Sequence, residues 1–175
     1  MRKILFSLAM VIMLSTVVMG ADRKRVPQEW ITLAEQTDFR KTPRYDETMD
    51  FFRRLADKSP MVNFAKFGVS PQGRDLNYVI VDKDGLTTPE DISAKGRLVI
   101  LVQCCIHSGE PDGKDATMIW LRDMVINGKD KSLLNDISFL VIPIFNVDGH
   151  EDFRATNRIN QNGPDKLGTR NTAQL

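Results

Sequence analysis

His107 and Glu110 are the pair in this chain whose residue types and spacing suit metal chemistry. They stand in IHSGEPDGK, between the apolar run LVILV and the helix-forming stretch DATMIWLRDMVIN. A neutral imidazole and a carboxylate held three positions apart in a tight turn can both reach one divalent ion. Catalytic zinc takes such donors, needs a third protein ligand and keeps one position open for water. Asn146 and Asp148, in NVDG, are expected to form a turn through side-chain bonds to nearby backbone, and to orient groups around a metal. His150, the only other histidine, is expected in a solvated loop or just behind the ligands. Arg74 is expected to be structural.

These side chains need a strand to deliver them and a helix to carry the chain away. Leu98–Val102 follows Gly96, is rich in β-branched residues, and reads as a central strand covered on both faces. Pro111 suits a first helical turn and pushes Glu110 toward an extended backbone. Both residues therefore lie in the strand-to-helix connection, ahead of a helix over Asp115–Asn127 that Gly128 ends. Ligands in an open α/β sheet sit beyond the carboxyl ends of its strands. Upstream, Thr42-Pro43 reads as a cap and first-turn proline. The helix it opens repeats Tyr45, Met49, Phe52 and Leu55 on one face. Met61–Val69 and Leu76–Val81 read as strands joined by SPQGR, where Gly73 supplies backbone freedom. The linker DKDGLTTPEDISAKG leads to the central strand, and ISFLVIPIF (Ile137–Phe145) is a second buried strand. This order predicts an α/β fold, a mixed β-sheet flanked by helices as an α/β/α sandwich. A βαβ crossover would bring NVDG and the His–Glu turn to one edge of neighbouring parallel strands. From Asn146 the chain turns polar, and a tail of that length is either functional or disordered.

Met1–Gly20 has two basic residues, an apolar core and small residues at Gly20 and Ala21, the pattern of a secretory signal peptide. Its removal predicts an exported protein, periplasmic or extracellular, with no stable membrane association. Residues 21–41 form a charged lead-in, with Trp30, Ile31 and Leu33 as a short helix or arm. Without Arg2 and Lys3 the formal charge of +1 becomes −1, since the leader holds no acidic residue. A near-neutral chain gives nucleic acid nothing to hold. Export permits disulfides, but Cys104 and Cys105 are adjacent. Neighbouring Cα atoms are about 3.8 Å apart, too close for an unstrained bridge, so both read as small buried hydrophobes.

HSGE after a hydrophobic strand, then IPIFNVDG some forty residues on, resembles the zinc metallocarboxypeptidase family of carboxypeptidase A-like peptidases. The SPQGR turn is similar to that family's Ser-x-x-Gly-Arg hairpin. The resemblance spans residues 42–175 and implies Zn2+ bound by His107 and Glu110, with a peptide or peptide-like substrate. It also implies a third ligand, a later histidine, and a later glutamate as general base. Neither has a counterpart here, so the resemblance implies the amino-terminal part of a longer catalytic domain, its sheet incomplete at the C-terminus. Arg158-Ile159-Asn160 matches the family's Arg-x-Asn and makes Arg158 the catalytic stabiliser of a developing oxyanion. Arg170-Asn171 has the residues of the family's carboxylate-gripping pair in reverse order and is not assigned that role. Gly109 and Pro111 flank the glutamate where digestive members often carry arginine and tryptophan, leaving exopeptidase preference open. An exported binding domain without catalysis and a zinc amidase or deacylase on the same fold are the alternatives.

Overall fold

The computed structural model describes residues 26–170. The leader, its cleavage boundary and Asn171 lie outside the described residues. A 3-10 turn, Gln28–Trp30, and a short helix α1 (Leu33–Gln36) make the lead-in. Helix α2 (Tyr45–Lys58) precedes strands β1 (Val62–Val69) and β2 (Asp75–Val81). Then come α3 (Pro89–Ala94), β3 (Leu98–Gln103), α4 (Asp112–Asn127), β4 (Ile137–Ile142) and α5 (Val147–Glu151).

The sheet order is β1-β2-β4-β3. β1 and β2 pair antiparallel through the SPQGR hairpin, where Gly73 takes φ +82°. β2 and β4 are antiparallel, whereas β3 and β4 run parallel from Leu98 opposite Ile137 to Gln103 opposite Ile142. The predicted mixed sheet is therefore present. α2 and α4 cover one face, where Phe52, Leu55, Leu121 and Met124 meet Val79, Val81 and Val141. Each fully buried side chain of this kind is worth about 1.5–3 kcal/mol. On the other face, Ile92 of α3 joins Ile80, Leu140 and Ile142 in lining an open cavity of about 420 Å³.

Four expectations change. β3 is not central among the described residues but lies at the sheet edge, with Leu98 70% and Leu101 53% exposed. An apolar β-branched run specifies a strand; it does not specify what covers it. Helix α2 starts at Tyr45, with Arg44 N–H donating to Glu47 Oε2 at 2.8 Å. Thr42 is instead claimed by buried groups of α4, which outcompete a cap two residues early. Pro111 precedes α4 as its cap position rather than lying in its first turn. NVDG enters a short helix, because Asn146 Oδ1 accepts from Gly149 N–H at 3.1 Å and so caps α5.

Two buried arginines tie the periphery to this frame. Arg122 reaches Glu35 at 2.6 Å and the Trp30 carbonyl at 3.2 Å, docking the lead-in on α4. Arg97 donates to Asp82 at 2.7 Å and also to Asp84. Burial pushes the Asp82 carboxyl upward, but hydrogen bonds from Ser138, Leu86 N–H, Asp84 N–H and Arg97 outweigh it and hold the carboxyl below its ordinary value.

Candidate metal centre

Parallel pairing of β3 with β4 sets the site. Beyond the strands, Phe145 and Asn146 N–H donate to the Cys104 and Cys105 carbonyls at 3.0 and 3.1 Å. The two connections thus leave the sheet side by side at one edge. The first closes as a tight turn, with Glu110 N–H donating to the His107 carbonyl at 2.9 Å. Cys105, at φ +51°, bends the chain into this turn. Burial pushes its thiol up to about 12, as befits an inert packing residue. Both cysteines are free and buried.

The turn brings the predicted pair together. His107 Nδ1 lies 3.2 Å from Glu110 Oε2, and the two side chains are 42% and 41% exposed. Arg158 joins them, its Nη2 donating to Glu110 Oε1 at 2.5 Å and its Nε to Gln161 Oε1 at 2.8 Å. The Arg158 guanidinium, then His107, hold the Glu110 carboxyl below its usual range against a small desolvation penalty. His107 lines an open cavity of about 370 Å³, and an imidazole beside an ionised carboxylate is the donor chemistry of two of the three protein positions around a catalytic zinc. Among the described residues no cluster of three or more His, Cys, Asp or Glu is placed to hold a metal.

Asp148 does more than turn the chain. Only 4% exposed at its side chain, it accepts from Ser70 Oγ (2.8 Å), Gln72 N–H (3.1 Å) and Arg74 Nη1 (2.8 Å). SPQGR and NVDG, the two motifs that accompany the His–Glu turn, are thereby clamped to each other. Arg74 has the structural role expected of it.

Leu167–Thr169 forms a strap between the two connections. Thr169 N–H donates to the Gly149 carbonyl at 2.9 Å, and Ser108 Oγ donates to the Thr169 carbonyl at 2.6 Å. A Cβ on Gly109 would stand 2.5 Å from the Gly168 carbonyl, and one on Gly168 would stand 2.6 Å from that of Gly149. Backbone cannot yield as a flexible side chain can. Gly168→Ala is therefore expected to lose about 1–3 kcal/mol of stability, read as a lowered urea midpoint, while Gly68→Ala, whose Cβ meets only the Leu76 side chain at 3.4 Å, serves as the comparison without a backbone clash.

His150 corrects the solvated-loop half of its expectation, because it is fully buried. As one residue in a short helix under the strap, it carries no sequence signal for burial. Its Nδ1–H donates to Glu151 Oε1 at 2.9 Å, and its Nε2 has no hydrogen-bond partner among the described residues. Burial lowers its pKa to about 4, with Glu151 opposing and Lys114 and Arg44 reinforcing the shift. Burial alone would raise Glu151, yet bonds from His150, Arg44 and Tyr45 N–H take it down to about 2. The unfolded chain protonates His150 near 6.5, so it binds more protons than the folded chain between pH 6.5 and 4. Stability from this residue is full above pH 6.5 and falls by about 3 kcal/mol as the pH drops to 4. The Glu151 contribution is lost next, below pH 4.5. Urea unfolding at pH 7 and pH 5 checks this, and His150→Phe should flatten the difference.

Composition hid one more group. Lys114, fully buried, donates to the Pro43 carbonyl at 2.5 Å and to Thr42 Oγ1 at 2.7 Å, beside Asp115 at 3.3 Å. The adjacent Lys-Asp pair at a helix start looks like a solvated first turn in the sequence.

A family model described as zinc carboxypeptidase matches residues 48–174. The chain belongs to the zinc carboxypeptidase family. Carboxypeptidase 2 of Trichophyton rubrum is 32% identical over 110 residues, covering 61% of this chain and 20% of that protein. A probable carboxypeptidase 2 of Arthroderma benhamiae is 31% identical over the same length, with the same shares covered. The chain therefore spans about a fifth of the curated relatives it matches. The crystal structure of carboxypeptidase A from Helicoverpa armigera superposes with a TM-score of 0.58 at 22% identity, covering 78% of this chain and 31% of that one. That likeness shows a carboxypeptidase fold: a mixed open sheet flanked by helices. Among the described residues of this family member, no helix is long and apolar enough to cross a membrane.

Proposed function

We propose that this chain carries the amino-terminal part of the catalytic site of a zinc-dependent carboxypeptidase-type hydrolase, exported through its leader, that cleaves peptide bonds. The meeting of His107, Glu110 and Arg158 at the carboxyl ends of β3 and β4 is the observation that supports it most. His107 contributes a nitrogen donor and Glu110 an ionised oxygen donor. Zinc supplies Lewis acidity and a bound water of lowered pKa, near 7. Arg158 offers a cation to the oxyanion that develops on the substrate carbonyl. Asp148, through Ser70, Gln72 and Arg74, fixes the wall beside His107. A third ligand and a general base come from outside these 175 residues in this reading.

Purified residues 21–175 are accordingly expected to show little or no hydrolysis, since two ligands without a base leave water unassisted. The full-length protein should release C-terminal residues from blocked peptides, lose that activity to a chelator and regain it with zinc. Preference for N-acyl amino acids in the same panel would make it an amidase or deacylase. No chelator-sensitive turnover at all would leave a binding domain.

A further inference from the structure

Gln161 holds Arg158 at two points. Its backbone N–H donates to the Arg158 carbonyl at 3.0 Å and closes a turn. Its side-chain Oε1 accepts from Arg158 Nε–H at 2.8 Å. Between these bonds the aliphatic stem lies on Gly109, where a Cβ would stand 2.9 Å from Cγ and 3.1 Å from Cδ. A glycine in the His–Glu turn therefore makes room for the arm, whose side chain is only 10% exposed. At its far end Nη2 donates to Glu110 Oε1 at 2.5 Å, leaving Oε2 to face His107. Arginine carries five N–H donors. Arg158 commits one at Nε and one at Nη2, and its Nη1 has no hydrogen-bond partner among the described residues.

We infer that Gln161 is a positioning residue for the proposed hydrolysis, fixing the Arg158 guanidinium so that its uncommitted Nη1 edge is ready for a developing oxyanion. This rests on the reading of Arg158 as the cation that serves the oxyanion. The physical reason is orientation. A free arginine arm samples many rotamers, and ordering it at the moment of reaction adds to the barrier. A donor already fixed in place stabilises developing charge without that cost. Glu110 cannot fix it alone, because one bond to one oxygen lets the guanidinium swing about that contact. A second bond, at Nε, sets the plane of the rigid fork and leaves Nη1 as the open edge.

The test compares the full-length protein with Gln161→Met, Gln161→Glu, Arg158→Gln and the double change on a blocked peptide, each with a native circular-dichroism spectrum. Gln161→Met keeps the length and the backbone N–H but removes the acceptor. It should lower kcat about tenfold with KM little changed, since a misplacement of about 1 Å costs up to roughly 100-fold and the lost interaction acts in the transition state. Gln161→Glu restores an acceptor for Nε–H and should recover most of that rate. Arg158→Gln should cost about 100- to 1,000-fold, and adding Gln161→Met to it should cost nothing more. In the zinc-free protein, the Arg158 Nε–H NMR signal should exchange slowly with water in wild type and Gln161→Glu, and quickly in Gln161→Met. An unchanged kcat in Gln161→Met, an equal loss in Gln161→Glu, or unaltered Nε–H exchange overturns the inference. An unimpaired Arg158→Gln, or no hydrolysis by the wild type, overturns the functional reading beneath it and the inference with it.

Discussion

Replacing His107 with alanine is expected to strip the full-length protein of zinc, lowering affinity by at least roughly a hundredfold. Losing a group that merely orients a ligand already costs about 10- to 100-fold, and His107 is a proposed ligand itself. Stability should barely move. The side chain is 42% exposed and bonds to Glu110, so surface-like effects within about 0.5 kcal/mol apply. Metal content after dialysis and a thermal melt, measured together, separate the two. His150→Phe is the companion: the second histidine is buried beside Glu151 and Phe153, and its loss should leave zinc in place. Full zinc in His107→Ala would end the metal assignment.

Lys114→Ala is expected to lose about 3–5 kcal/mol of stability, the cost of leaving one partner of a buried ion pair alone. Asp115 Oδ1 would keep only the Thr42 hydroxyl, and the Pro43 carbonyl would lose its donor. Burial lowers the Lys114 pKa and raises that of Asp115, so desolvation outweighs their mutual attraction and the pair is held by its hydrogen bonds. The double change Lys114→Met with Asp115→Leu removes both charges and fills the space. It should therefore be milder than Lys114→Ala. Urea unfolding of the two variants gives the comparison, and a double mutant as unstable as the single would refute the argument.

The elements that carried the site were legible because each stood on a local rule. Apolar and β-branched runs marked the strands, Gly128 stopped α4, and His107 and Glu110 fell between a strand and a helix. Their convergence followed from parallel pairing of β3 and β4, which the helical crossover between the two strands permits. What stayed hidden depends on contacts between distant segments. Burial of His150 and Lys114 follows from a strap and a helix-entry segment packing over them, 18 and about 70 residues away. Asp148 read as a turn-former because turn chemistry is local, whereas its partners lie at 70, 72 and 74. The open flank of β3 was misjudged for the converse reason, since hydrophobicity records a need for cover and not its source.

That flank has a consequence for making the protein. Leu98, Val99, Ile100 and Leu101 are 40–70% exposed along a strand with one ladder side unpaired among the described residues. A ladder of free N–H and C=O groups flanked by aliphatic side chains is a template for any identical strand that collides with it. Residues 26–170 expressed alone should thus cluster in proportion to concentration during synthesis, and dilution or slower translation should raise the recovered yield.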